Sequence, residues 1–458
     1  MWGYKKEAGP VNKNEAFLYL NEPLPADIAR RKEMGDLAGA IRLIDRRLEQ
    51  CRQPLLAPRL EAERLRLNRL PGDYPYSREE ALSMIRAEWP QFTEAQFDAL
   101  ADGGRIDWRM IDGELRCHER FLESLRIYPK EAPGLKQEET DNSWRDQVLA
   151  RMEKAGELTA RITLRASICA LVPVEGKEVQ AWLPIPAACP QQSEIRILDH
   201  TPGGVAAPEH APQRTMWWRT RDVDRFTVTY SYLFRARYVD PMTIPLDPVQ
   251  PDFDLEEQAP HIVFTPYLRA LAAAICRGCS TPAEKARAIY DYVTGQVDYR
   301  YQPAYLQLDC IADQCAKTLR GDCGVFALLF ITLCRIAGIP ARWQSGLAVR
   351  PDGVGPHDWA MFYLAPHGWL WADCSYGSSA RRNGEDARRR HYFGNLDPWR
   401  MVANSAFQAP LTPPMPDWRQ DPYDNQVGEL MVDGRGLDAP EREWSQELLD
   451  FTLLEGQG

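Results

Sequence analysis

The sequence predicts an α+β protein in which a helical N-terminal domain and a small β-sandwich precede a domain built on a central helix packed against an antiparallel sheet. Three observations carry this. The first third is rich in Ala, Leu, Arg and Glu at helical spacing, as in LAGAIRLIDRRLEQ. From Ile162 the period changes to two, with Ile162, Leu164, Ala166 and Ile168 alternating with more polar neighbours. Near Cys323 an apolar run, VFALLFI, is hydrophobic on all sides, which marks a helix at the centre of its domain. The boundaries read as 1–158 helical, 159–240 sandwich-like, 241–425 the third domain and 426–458 an acidic tail, in line with about 150 residues per domain for a chain of 458.

In chain order, residues 35–70 read as a helical hairpin and Ser77 to Trp89 with Thr93 to Leu100 as a second pair. Asp112-Gly113 marks a tight turn between two short strands. Helices followed by a hairpin invite comparison with a winged helix, but the formal charge of −10 argues against a nucleic-acid binder. Glu138 to Leu158 reads as a charged helix leading out of this region. VQAWLPIP (179–186), 195–198, 216–219 and the alternation Phe226, Val228, Tyr230, Tyr232, Phe234 read as strands of an antiparallel sandwich.

Pro241 to Pro260 reads as an extended linker. Thr265-Pro266 and Thr281-Pro282 each open a helix with a capping residue followed by proline. Gly338-Ile339-Pro340 ends the apolar helix that Cys323 begins, with Asp322 as its N-cap. At a helix N-terminus the unpaired N–H groups and the macrodipole favour a thiolate over a thiol. Strands follow at 341–349, 357–364 and 369–374, so His357 opens one strand and Asp373 closes the next. Simple hairpin register leaves the two a few positions out of step. Ser378 to Arg390 reads as a mobile loop, and the proline-rich then acidic C-terminal segment as a surface wrap without a core of its own.

A thiolate to attack a carbonyl, an imidazole to carry a proton and an acid to fix its tautomer are the residue types of nucleophilic acyl transfer. The motifs GDCGVFALLF, CRIAGIPAR with SG, HDWAMFYL and GWLWADCSYG resemble the transglutaminase-like superfamily, in particular its bacterial cysteine-protease-like members. HYFGNLDPWRM extends the resemblance, which runs from about His261 to Met401. It implies a papain-like core and a Cys323, His357, Asp373 triad hydrolysing a peptide or amide bond through a thioester, with a peptide or protein substrate. The alternatives are a protein-glutamine transglutaminase using an amine acceptor, and a non-catalytic binding module retaining the triad. An arylamine acetyltransferase shares the residue order but fits GIPAR and GWLWADCSYG less well.

The superfamily often draws a second oxyanion donor from upstream of its cysteine, which points to Tyr301 or Gln302 beside the backbone N–H of Cys323. No cofactor is expected. Cys276-x-x-Cys279 with Cys310 and Cys315 is too poorly spaced for a zinc site. The eleven cysteines lack the spacing of a disulfide scaffold, and MWGYKKEAGPVNKNEAFLYL lacks a long apolar run. A cytoplasmic protein without membrane or nucleic-acid partners is the expectation, and the partner of the helical domain is left open.

Overall fold

Capping and turn chemistry account for the N-terminal elements. The computed structural model describes residues 13–50, 56–136 and 142–454. Helices Ala26–Glu33, Leu37–Gln50 and Leu56–Asp73 pack around Ile28, Ile44, Leu60 and Leu67. Ser77 with Glu80 and Thr93 with Gln96 form capping boxes on helices Arg78–Glu88 and Glu94–Asp102. Asp112 and Gly113 both take positive φ, 46° and 92°, in the two-residue turn joining Trp108–Ile111 to Glu114–Cys117. A second small core gathers Leu82, Ile85, Phe97, Phe121 and Leu125. The charged helix runs over Ser143–Ala155 and ends on left-handed Gly156; the start expected at Glu138 lies outside the described residues.

The helical region grips the segment upstream of the cysteine. Arg105 pairs with Asp298 at 2.8 Å, and the Tyr128 hydroxyl donates to the Tyr299 carbonyl at 2.9 Å. Ser124 Oγ accepts from the Tyr301 N–H at 3.2 Å, and the Arg120 guanidinium lies 3.4 Å over the Tyr301 ring.

The sandwich strands Glu157–Ala170, Glu178–Pro184, Gln192–His200, Thr215–Arg221 and Arg225–Arg237 match the alternating stretches. The C-terminal segment departs from the expected surface wrap. Glu429–Val432 pairs with Glu178–Pro184, and Arg442–Leu454 pairs with Glu157–Ala170 along nearly its whole length. Each therefore completes one sheet of the sandwich, whose buried faces share one core with the third domain. Arg442–Leu454 is an edge strand with a polar outer face, so its sparse inward set, Leu448, Phe451 and Leu453, hides the period in the sequence. The last residues of the expected tail, from 455, lie outside the described residues.

The third domain holds an antiparallel sheet in the order Phe393–Gly394, Gly368–Ala372, Gly353–Leu364, Ala341–Arg350, Arg400–Asn404. Helix Cys323–Ile336 packs on it with Gly324 to Cys334 buried, as its all-round hydrophobicity requires. Phe330 meets Phe362 edge to face at 5.9 Å. Between Pro241 and Pro260 there is neither helix nor strand. Ser378 to Arg390 is ordered, contrary to the expected loop. Helices Cys374–Arg382 and Asp386–His391 occupy it, tied down by Arg388 to Asp146 at 2.9 Å and Arg389 to Asp291 at 2.8 Å. Fixed carboxylate partners on other helices turn a basic run into anchors.

Candidate active site

Cys323 occupies the first turn of its helix, where Asp322 caps by accepting the Val325 N–H at 3.3 Å. Tyr305 donates its hydroxyl to the same Asp322 oxygen at 2.6 Å. Only glycine suits position 324, since a Cβ there would lie 2.2 Å from the Tyr305 hydroxyl oxygen and 2.8 Å from the Trp343 ring. The close approach brings the helix start onto the His357 strand.

His357 and Asp373 meet despite the register. Ala360 pairs with Ala372, so Asp373 lies two positions out of step with His357, yet Nε2 and Oδ2 are 2.8 Å apart. Asp373 has left the strand to cap helix Cys374–Arg382, accepting the Tyr376 N–H at 2.9 Å, and this swing supplies the missing reach. Arg400, fully buried, pairs with the same oxygen at 2.8 Å and with Asp397 at 2.5 Å. Burial alone would raise the Asp373 carboxyl, but His357 and Arg400 outweigh it and hold the group below the usual carboxylate range. For His357 burial dominates over the pull of Asp373, so the imidazole is neutral at pH 7. Gly346 pairs with His357 across the sheet, where a Cβ would fall 1.9 Å from the Met401 carbonyl oxygen. With Nε2 engaged, Nδ1 is the ring nitrogen without a hydrogen-bond partner among the described residues.

The sulfur of Cys323 has a different partner. Its thiol donates to Asp358 Oδ2 at 3.2 Å, and no hydrogen bond joins it to His357. Asp358 in turn accepts from Gln426 Nε2 at 2.6 Å, and Gln426 also reaches the His357 carbonyl at 3.0 Å. Burial first, then the carboxylates of Asp358 and Asp322, push the thiol well above its ordinary value, against a smaller pull from the Asp358 backbone N–H. The thiolate expected from the helix N-terminus is therefore opposed by two neighbouring acids. Those acids are themselves shifted up. Burial raises Asp322 to about 6 and Asp424 to about 7, and drives Asp358 well above the carboxylate range.

Cys323 lines a cleft of about 620 Å³ with Tyr301, Gln302, Asp358, Asp421, Asp424 and Trp444. The two upstream oxyanion candidates thus border the cleft, with one backbone donor and one side-chain amide already engaged. The Tyr301 N–H goes to Ser124 Oγ, and the Gln302 amide turns back to the Arg300 carbonyl at 2.8 Å. The backbone N–H of Cys323 is at the first helical position, where no intrahelical acceptor exists. His357 opens on an adjoining cavity of about 240 Å³, and Tyr299 lines both spaces. Among the described residues no group of three or more His, Cys, Asp or Glu side chains could hold a metal ion, and no helix is long and apolar enough to cross a membrane.

Sequence reasoning missed Asp358, Gln426 and Arg400. Asp358 stands beside His357 in HDW and was open to notice, whereas Gln426 and Arg400 reach the site from distant segments.

Residues 269–374 match the profile of the transglutaminase-like superfamily. The chain carries a transglutaminase-like domain. Solved structures similar to it include a candidate cysteine protease from Cytophaga hutchinsonii, at 16% identity, 64% of this chain, 91% of that chain and a TM-score of 0.41. The periplasmic domain of TgpA from Pseudomonas aeruginosa shares 16% identity over 53% of this chain and 96% of that chain, with a TM-score of 0.28. A candidate protease from Parabacteroides distasonis shares 12% identity over 46% of this chain and 42% of that chain, at 0.22. None of the curated proteins matches the chain.

Proposed function

We propose that the transglutaminase-like domain is a thiol-dependent acyl-transfer enzyme that hydrolyses a peptide or amide bond through Cys323, His357 and Asp373. The observation that carries this is the buried His357 Nε2 to Asp373 bond, backed by Arg400, which orients the imidazole and leaves Nδ1 for the substrate. On substrate entry the Cys323 side chain leaves Asp358 and passes its proton to Nδ1. The thiolate attacks the carbonyl carbon, and the backbone N–H of Cys323 faces the developing oxyanion. The imidazolium returns the proton to the departing amine, a thioester remains, and water releases the acyl group as a carboxylic acid.

Transamidation is the second reading, and one observation favours it. Asp322, Asp358, Asp421 and Asp424 line the Cys323 side of the site, where their carboxyl groups offer hydrogen-bond partners to an amine acceptor. The test is digestion of a peptide library by the full chain with and without a labelled primary amine, in the wild type, Cys323→Ala and His357→Ala. Cleavage lost in both variants supports the hydrolase, and amine incorporation lost in both supports the transferase. Absence of both reactions in the wild type refutes both readings and leaves the non-catalytic binding module.

A further inference from the structure

The cavity on the His357 side has a chemistry opposite to that of the cleft. Four guanidinium groups line it, from four separate elements: Arg145 on Ser143–Ala155, Arg350 at the end of Ala341–Arg350, Arg382 at the end of Cys374–Arg382, and Arg388 on Asp386–His391. The carboxylates near them lie outside the lining. Asp352 is shared by Arg145 and Arg350, while Asp146 and Glu385 pair with Arg388. Arg350 also donates to the Tyr376 hydroxyl at 2.9 Å, and Tyr376 stacks against the His357 ring at 4.4 Å. Arg382 makes no ion pair among the described residues; the Tyr128 ring lies at 5.5 Å, and the Asp298 carboxylate, itself paired with Arg105 and Arg320, is near enough to act on it. An unpaired guanidinium among three others, in a cavity of about 240 Å³, is a site for an oxyanion.

We infer that this cavity binds a carboxylate carried by the leaving amine of the substrate. The inference rests on the proposed acyl transfer and names its substrate class. An imidazole that protonates the departing nitrogen has the leaving fragment on its own side, so whatever lines the His357 cavity reads that fragment. The Cys323 side, lined by Asp322, Asp358, Asp421 and Asp424 with Arg120 already paired to Glu123, is the poorer place for a carboxylate, and this sets the substrate's direction. The amides that fit release an amine bearing a carboxylate close to the nitrogen, either the C-terminal amino acid of a peptide or a residue with an acidic side chain. Bond changes are those of ordinary amide hydrolysis, and the carboxylate takes no part in them.

The chain has seven histidines, which makes imidazole carbon NMR of the full-length protein practical. N-acetylglycine and N-acetylglycinamide, alike except for the carboxylate, are titrated into histidine-labelled protein, with the His357 signal assigned from the His357→Ala spectrum. The expected result is a saturable shift of the His357 signal by the acid and none by the amide. Arg382→Gln should weaken the acid by about tenfold, the loss of one charge-assisted hydrogen bond, and Arg382→Lys should retain part of it. Arg382 is exposed at a helix end, so neither change threatens the fold. No shift by the acid, equal shifts by both compounds, or an affinity unmoved by Arg382→Gln overturns the anion site.

Peptides with free and amidated C-termini, and amidated peptides with Glu in the residue released, are then compared for Cys323-dependent cleavage. Faster cleavage of the free termini assigns the site to a terminal carboxylate, and faster cleavage of the Glu peptides assigns it to an acidic side chain. A selective NMR shift without cleavage of any peptide refutes the hydrolase and leaves the anion site standing. Cleavage indifferent to the carboxylate does the reverse.

Discussion

Asp358→Asn should unlock the nucleophile. In the resting site the Cys323 thiol donates to Asp358 Oδ2 at 3.2 Å, and Gln426 holds the other carboxyl oxygen at 2.6 Å. An asparagine keeps the Gln426 bond through its carbonyl oxygen and turns an N–H donor towards the sulfur. Two full charges at that separation would repel by about 5 kcal/mol at an effective dielectric constant of about 20. Asp358 is itself driven towards its neutral form by burial and by Asp424, so both charges seldom coexist and the full figure is not realised. The remaining effect is that of one hydrogen bond to a charged group, about 1.5–3 kcal/mol, or a fall of roughly one to two in the thiol pKa. Iodoacetamide alkylation against pH, resolved to the Cys323 peptide by mass spectrometry, measures it. The variant's midpoint should fall, and its rate near pH 7 should rise by roughly tenfold. A midpoint that is unchanged or higher would refute the claim that Asp358 restrains the thiol.

Arg400→Met should cost about 3–5 kcal/mol, because it strands the buried carboxylates of Asp373 and Asp397, and adding Asp373→Asn should recover part of the loss in thermal unfolding. Asp424 is raised to about 7, and a raised acid contributes stability that is full below the unfolded value of about 4 and lost as pH rises through the folded one. Asp424→Asn, which keeps the bond from Ser345, should therefore flatten the fall of Tm between roughly pH 4 and 7, and an unchanged slope would argue against that shift. A chain ended at Gly428 loses strands Glu429–Val432, Arg435–Gly436 and Arg442–Leu454 and should lose its cooperative calorimetric transition, whereas a mere surface wrap would leave the transition in place.

The sequence by itself determined the local elements and the residue types of the site. Capping boxes at Ser77 and Thr93, the Asp112-Gly113 turn, the period-two run ending at Phe234 and the all-round apolar helix behind Cys323 are short-range signals, set by backbone geometry and burial. The motifs around Cys323, His357 and Asp373 were legible for the same reason. Two errors came from reading composition as disorder. Arg388 and Arg389 looked like a solvated run until Asp146 and Asp291 from other helices paired with them, and Arg442–Leu454 looked like a tail until Glu157–Ala170 gave it a neighbour.

The tertiary structure alone decided how the site stands at rest. Asp373 reaches His357 by capping a helix beyond its strand, Arg400 arrives from the opposite sheet edge, and Gln426 positions Asp358 from a segment outside the strands. Protonation follows from these placements, because a carboxyl's pKa depends on which charges and how little water lie within a few ångströms. Residues 16 positions apart in the chain, as His357 and Asp373 are, or 68, as Asp358 and Gln426 are, become such neighbours only when the sheets and helices close on one another.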